Sequence, residues 1–321
     1  MIGVIIKKEI LDIIISPKFV FTFILCTVLI ILAVVAGVGN YASELDEYNA
    51  AVALNRRNLE SQPNYGTLAG SGTKINKKPE VLGTVVVGVQ EAVGRVATVT
   101  IAYDPGLEDS KHNSNPVYAI FGALDLIFIV KIVLSLFAIL FTYDTIAGER
   151  ERGTLKLTLS NPVPRDRLIM GKTIGGFVSL LIPLIIPMLL GLIILVAHPS
   201  VVFTGEDWAR MGLIFLFFLL YLSVFFTLGL LVSTRSSKSS NSLLVLLFIW
   251  VTFVTIIPKA SVMIAGEIYP IPSVHEVTAE KDAFLQEMQA EAPIRVNEWM
   301  EENPSDDTTE WQERFRGFLE E

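Results

Sequence analysis

Five apolar runs, each close to the roughly 20 residues a helix needs to cross a bilayer, leave this chain few folds to choose from. They are Phe19–Gly39, Val117–Tyr143, Thr173–Ala197, Met211–Ser233 and Ser242–Ile257. Hydrocarbon offers no partner for a backbone N–H or C=O, so a lipid-exposed run of this length has to satisfy its own hydrogen bonds as a helix. With 52% hydrophobic residues and a mean hydropathy of +0.55, the chain of 321 residues is no ordinary soluble domain. The first run lacks the short apolar core and small-residue cleavage site of a secretory signal, and an amphipathic stretch precedes it, so it reads as a retained helix. The expected architecture is an all-α polytopic membrane protein with five visible transmembrane helices, an N-terminal interfacial helix and a small α/β external domain.

Five segments divide the chain. Residues 1–17 mix isoleucines with Lys7, Lys8, Glu9 and Asp12, too short and too charged to span, and suit a helix lying in the cytoplasmic interface. Ser16-Pro17 breaks that helix, because the residue before proline is pushed away from the helical region. Residues 18–39 form the first span. Residues 40–116 form an external domain, with a helix over Tyr41–Ser61, a loop over Gln62–Pro79 and two short strands or a hairpin within Val81–Tyr103. Residues 117–258 carry four spans and enclose a cytoplasmic loop, residues 144–172. Residues 259–321 form an acidic external region, helical near Glu276–Glu291 and Asp307–Glu320, with Trp311, Phe315 and Phe318 on one face of the last helix. From Lys259 onward there are 15 acidic against 5 basic residues, which accounts for the net charge of −8 and argues against nucleic acid as a partner.

Within the spans, four positions invite a functional reading. Asp125 and Lys131 lie inside the second run; over a helix of about 40 Å, Lys131 falls near mid-depth and Asp125 about 9 Å further out. Ionisable groups at that depth face a bundle interior or a wet cavity, and these two are not on one helical face, so each pairs across an interface or, for Lys131, reaches along its stem to a distant polar group. Pro183 and Pro187 lie one turn apart in the third run, free the carbonyls of Ser179 and Pro183, and predict a kink that suits a substrate path or plain packing equally. Gly171, Gly175, Gly176 and Ser179 predict close helix approach at the start of that run. Cys26 is the one cysteine and reads as a small buried hydrophobe, while His112, His198 and His275 are too scattered for a metal site. Gly171-Lys172-Thr173 resembles the end of a phosphate-binding loop, but Asp166 stands where the loop needs glycine and no strand precedes it. No catalytic constellation is present, so energy for transport has to come from a partner or an ion gradient.

The stretch Phe141–Lys172 is where apolar helix gives way to charge and turns. Its basic residues outnumber its acidic ones six to four, placing it on the cytoplasmic side. Glu149-Arg150-Glu151-Arg152-Gly153-Thr154 alternates in charge as a solvated amphipathic turn does. Gly148 and Gly153 bracket it, and the Asn161-Pro162-Val163-Pro164 stop follows. An ordered loop of this kind between two spans is suited to docking a soluble partner.

Tyr143-Asp144-Thr145-Ile146-Ala147-Gly148-Glu149-Arg150-Glu151-Arg152-Gly153-Thr154-Leu155, followed by Leu159-Ser160-Asn161-Pro162-Val163-Pro164-Arg165 and Gly171-Lys172, resembles the signature of the ABC transporter permeases of the type-2 exporter family, in a subgroup with enlarged external domains. The resemblance implies a non-enzymatic transport subunit of an ATP-driven exporter in a prokaryotic cytoplasmic (inner) membrane, multi-pass, with its N-terminus cytoplasmic. It implies separate ABC ATPase subunits that hold ATP and Mg, a second permease subunit forming a homo- or heterodimer, and contact with membrane lipid; this chain itself binds no cofactor. Carried over residue by residue, Glu149, Arg150, Glu151, Arg152, Gly153 and Thr154 form the coupling helix. The family pattern has six spans, so the expectation is that the sequence ends before a last helix. The external domains could equally recruit an extracytoplasmic protein. Two other classes stay open on the residues alone: a non-transporting sensor or assembly scaffold with a ligand-binding external domain, and an ion-driven carrier using Asp125 and Lys131.

Overall fold

The computed structural model describes residues 2–63, 66, 72–88, 94–99, 107–108, 125–160, 164–270 and 274–302. The chain forms two compact units, Met1–Ile256 and Ile257–Glu321. In the first unit, helix α1 (Ile2–Ile14) ends at a turn built on Ser16. The Ser16 hydroxyl accepts from the Phe19 N–H at 3.2 Å and donates to the Ile13 carbonyl at 2.6 Å. Pro17 then opens α2, in the first turn, where a missing N–H costs nothing. Helix α2 (Pro17–Glu60) runs unbroken for 44 residues. The sequence reading divides this stretch into a span ending at Gly39 and a separate helix from Tyr41. No proline or turn lies between them, and a nucleated helix gains one hydrogen bond for each residue it adds, so the two join.

Strands β1 (Thr73–Asn76), β2 (Val96–Val99) and β3 (Leu107–Glu108) form an antiparallel sheet in the order β1-β2-β3, with Thr73 opposite Val99 and Val96 opposite Glu108. Two expectations are corrected here. Strand β1 lies within the stretch expected as loop, and the stretch Val81–Tyr103, expected to hold two short strands or a hairpin, opens with a 3-10 turn at Val81–Thr84 and holds β2. The turn closes through Gly83 N–H to the Glu80 carbonyl and Val85 N–H to the Leu82 carbonyl, both at 3.0 Å. It seats on α2 at Gly37, where any Cβ would run into the Thr84 carbonyl. Packing on a helix, which no local pattern encodes, overrides the β-branched composition of the segment.

The second span is described from α3 (Leu126–Phe128) through a π-helical segment (Ile129–Leu134) to α4 (Ser135–Thr142); residues 117–124 of the expected run lie outside the described residues. Short helices α5 (Ala147–Glu151) and α6 (Thr154–Ser160) lead to α7 (Arg165–Ala197), α8 (Gly205–Arg235) and α9 (Ser239–Trp250), the last continuing as a π-helical segment (Val251–Ile256). The second unit holds α10 (Ile257–Ile268) and α11 (Val274–Glu302). The expected helix at Glu276–Glu291 falls inside α11, and the one at Asp307–Glu320 lies outside the described residues. Among the described residues, five helical stretches are long and apolar enough to cross a membrane: Pro17–Glu60, Leu126–Glu151, Arg165–Ala197, Gly205–Arg235 and Ser239–Ile268.

Cys26, Ile30, Leu134, Ile139, Leu180, Leu184, Leu222 and Leu246 make the centre of the first unit. Its outer faces are apolar as well, with Phe21, Leu189, Phe217 and Phe248 exposed, as a protein solvated by hydrocarbon requires. Close approach relies on missing side chains. Gly176 leaves room for the Phe226 ring, and Gly191 for Val34. Helix α7 passes through Pro183 and Pro187 without interruption, both prolines buried against the bundle. Widening of the second span at the π segment is matched by a polar cluster. The Lys131 carbonyl accepts from the Ser135 and Tyr221 hydroxyls, the latter at 3.1 Å, and the Trp250 indole N–H donates to Ser135 Oγ at 2.8 Å.

Candidate docking site

Between α4 and α7 the chain turns twice, and the first turn is built on a serine from a distant helix. Ser233 of α8 accepts from the N–H groups of Ile146 and Ala147, each at 3.1 Å, and donates to the Tyr143 carbonyl at 3.0 Å. Those N–H groups lie at the start of α5, where a short helix leaves donors without internal partners. One buried hydroxyl thus fixes where α5 begins. Gly153, at φ +77°, ends the turn after it and starts α6 in a new direction, a conformation that costs a residue with a Cβ about 1–2 kcal/mol.

Three consecutive side chains then fasten α5 to different parts of the bundle. Glu149 Oε1 lies 3.0 Å from Lys172 Nζ at the start of α7. Arg150 donates to the carbonyls of Thr234 at 2.9 Å and Ser236 at 3.0 Å, satisfying the end of α8. Glu151 accepts from the backbone and hydroxyl of Ser239, at 3.0 and 2.9 Å, at the opening of α9. An acceptor carboxylate at a helix N-terminus and a cationic donor at a C-terminus are both placed to complement the helix dipole. Gly148, packed against Asp144 and Ser239, permits the approach. Asp144 is held in turn by Lys18 of α2 at 2.7 Å, and the same ammonium sits 4.4 Å above the Tyr143 ring.

The Lys172 ammonium serves a second carboxylate, Glu9 Oε2 of α1, also at 3.0 Å. The side chains of Lys172, Glu9 and Glu149 are only 7%, 13% and 18% exposed. Burial raises the Glu9 carboxyl above its ordinary value, and the attraction of Lys172 only partly opposes it. Glu149 Oε2 is buried with no hydrogen-bond partner among the described residues. Helix α1 reaches this position because Gly171 makes room for Ile5 and Gly175 for the Glu9 stem. Of the glycines that predict a close approach in the sequence, Gly171 and Gly175 find their partner in the N-terminal helix, and Gly176 meets Phe226 of α8 first.

The expected coupling residues therefore separate into two sets. Glu149, Arg150 and Glu151 are tied to the bundle, Glu149 from a part-buried position and Arg150 and Glu151 while still exposed. Among the described residues Arg152, Gly153 and Thr154 are exposed without such ties to α7, α8 or α9; Lys156 and Leu157 of α6 are exposed too. Beside them opens a pocket of about 260 Å³ with Ile146, Leu155 and Leu168 as its apolar wall and Arg150, Arg165 and Lys172 among its lining. Asp125 is the N-cap of α3: its carboxylate accepts from Phe128 N–H at 2.9 Å and Val87 N–H at 3.3 Å. It is far along the span from α5, as is Lys131, whose ammonium has no hydrogen bond or ion pair among the described residues. Pro183 and Pro187 lie deeper in α7 and take no part in this site. Among the described residues no group of His, Cys, Asp or Glu could hold a metal ion. The contributions of Glu9, Ser233 and Ser239 were not legible as site residues; the one local signal was the pair of carboxylates, Glu9 and Asp12, among the isoleucines of α1.

The profile of the ABC-2 family transporter protein matches residues 4–294. A probable ABC transporter permease protein of Pseudomonas aeruginosa, NosY, is 35% identical over 132 residues, covering 40% of this chain and 46% of that relative. The match thus spans about half of the relative's length. With the family profile covering both the bundle and the fastened loop, the chain belongs to the ABC-2 transporter family as a multi-pass, non-catalytic permease subunit.

Proposed function

We propose that this permease exports its substrate by alternating access, driven by separate ATPase subunits that dock on residues 147–160. In this reading α1 and the loop face the cytoplasm, consistent with the basic excess of the loop, and the pathway runs between two permease subunits. The carrying observation is the division of α5 and α6. Glu149, Arg150 and Glu151 fasten α5 to α7, α8 and α9, while Arg152, Thr154 and Lys156 follow as exposed side chains that, among the described residues, no such contact to those spans occupies, with Leu157 exposed beside them. A displacement applied to these exposed residues cannot stay local, because each fastening moves a different span. ATP shifts the equilibrium only so far as the docked partner prefers one of the two arrangements.

The test is copurification from native membranes followed by cysteine cross-linking from Arg152→Cys. A cross-link to an ATPase subunit, altered by ATP with vanadate, is the expected result. Absence of an ATPase from the complex, or labelling of Arg152→Cys by an impermeant reagent from outside the cell, would refute the reading.

A further inference from the structure

At the end of the bundle away from the docking loop, a cavity of about 260 Å³ lies between α2, α7 and α8. Its walls include Ile30 and Val34 of α2, Met188 and Leu192 of α7, and Met211 and Phe215 of α8, and among the described residues no polar side chain lines it. The 3-10 turn roofs it. Val85 lines the cavity, its carbonyl accepts from Leu126 N–H at 3.2 Å, and Leu126 lines the cavity too. Gly37 lets that turn rest directly on α2. On the remaining side Leu189 is both a wall residue and 54% exposed, so the cavity is continuous with the lipid-facing surface of α7.

We propose that this cavity is a binding site for one acyl chain of a phospholipid from the leaflet on the sheet side of the protein. Water has no hydrogen-bond partner here, and a dry apolar cavity of about 150 Å³ already accepts a benzene-sized ligand. Where the cavity meets the lipid-facing surface of α7, bilayer hydrocarbon enters at no hydrophobic cost and recovers the dispersion contacts an empty cavity forfeits. The acyl chain contacts α2, α3, α7 and α8 and the underside of the roof, so it joins the sheet-side turn to the bundle interior. Proposed transport and this site are independent, since nothing in the argument uses the docking loop.

The test uses the complex as purified, reconstituted in nanodiscs of phosphatidylethanolamine and phosphatidylglycerol with a trace of phospholipid bearing a diazirine near one acyl terminus. After illumination, adducts are mapped by peptide mass spectrometry. Adducts at Met188, Leu192 and Met211 should exceed those at Ile193 and Val196 severalfold; these two are lipid-facing neighbours, 65% and 55% exposed. Leu192→Trp should lower the cavity adducts severalfold and leave those at Ile193 and Val196 unchanged; Met188→Phe serves as a second filling variant should the first fail to insert. Equal labelling of both sets, or cavity labelling indifferent to both filling variants, would reduce the lipid to an annular one and overturn the proposal. So would disulfide-linked dimers of Met188→Cys, which would give the cavity to a second copy of the chain.

Discussion

Replacing Lys172 with methionine would keep its stem in place and remove the one cation shared by α1 and α5. At an effective dielectric of ~20, each 3.0 Å contact is worth about 5–6 kcal/mol of attraction, most of it offset by the desolvation of the three groups. What remains after the substitution is two poorly hydrated carboxylates facing the same vacated position. Removing one partner of a buried pair typically costs about 3–5 kcal/mol, which at roughly 2 °C per kcal/mol for a large domain lowers the thermal midpoint by about 6–10 °C. Glu9→Gln should behave differently. It removes a carboxyl whose burial already disfavours ionisation and leaves the ammonium to Glu149, so its midpoint should stay at or above that of the parent. Combining the two should recover part of the Lys172→Met loss. The assay is thermal unfolding of the purified complex in detergent, followed by fluorescence-detected size exclusion. A Lys172→Met midpoint equal to the parent, or a double variant no better than Lys172→Met alone, would refute the shared-cation reasoning.

The raised Glu9 carboxyl also sets a pH dependence. The native state holds that proton more tightly than the unfolded chain, so the stability it contributes is fully present below pH 4.5 and is lost as pH rises through the raised value; the stability of the parent relative to Glu9→Gln should decline over that window when unfolding is followed against pH. Arg152→Ala with Lys156→Ala changes only exposed positions and should alter stability by no more than about 0.5 kcal/mol, while lowering the yield of copurified ATPase and uncoupling its hydrolysis from transport. Glu149→Ala should instead lower the thermal midpoint, because it leaves the buried Lys172 ammonium only the Glu9 carboxyl, whose burial disfavours ionisation. Gly153→Ala should cost about 1–2 kcal/mol and weaken ATPase recovery by misdirecting α6, whereas Gly153→Asn, which tolerates the left-handed region better, should recover more.

Hydropathy and length made the five spans legible, because hydrocarbon leaves a helix no alternative. Charge bias and the bracketed Glu149–Thr154 segment marked out the loop we propose as the docking site for a similar reason, since both are local. What could not be read was pairing across the chain. Nothing near Glu9 announces Lys172, which lies 163 positions away, and Ser233 looks like any helix serine until the start of α5 is seen resting on it. Asp125 shows the same limit from the other side. Its position in an apolar run reads as an intramembrane charge, yet the helix begins one residue later and the carboxylate caps it. The sheet was partly misplaced because β1 depends on β2 for its identity, and in the four residues Thr-Lys-Ile-Asn two strand formers alternate with two residues that strands disfavour.

The length of α2 has a mechanical consequence. At 1.5 Å per residue its 44 residues extend about 66 Å, against a hydrocarbon core of about 30 Å, so some 35 Å project beyond it. The sheet is carried on that projection: Asn55 donates to the Lys74 carbonyl at 3.2 Å, and Arg95 pairs with Glu44 at 2.6 Å. A rod of this kind acts as a lever with its fulcrum in the bilayer. A tilt of about 10° within the span swings the far tip by roughly 6 Å, so rearrangements too small to notice among the buried side chains become large strokes at the sheet.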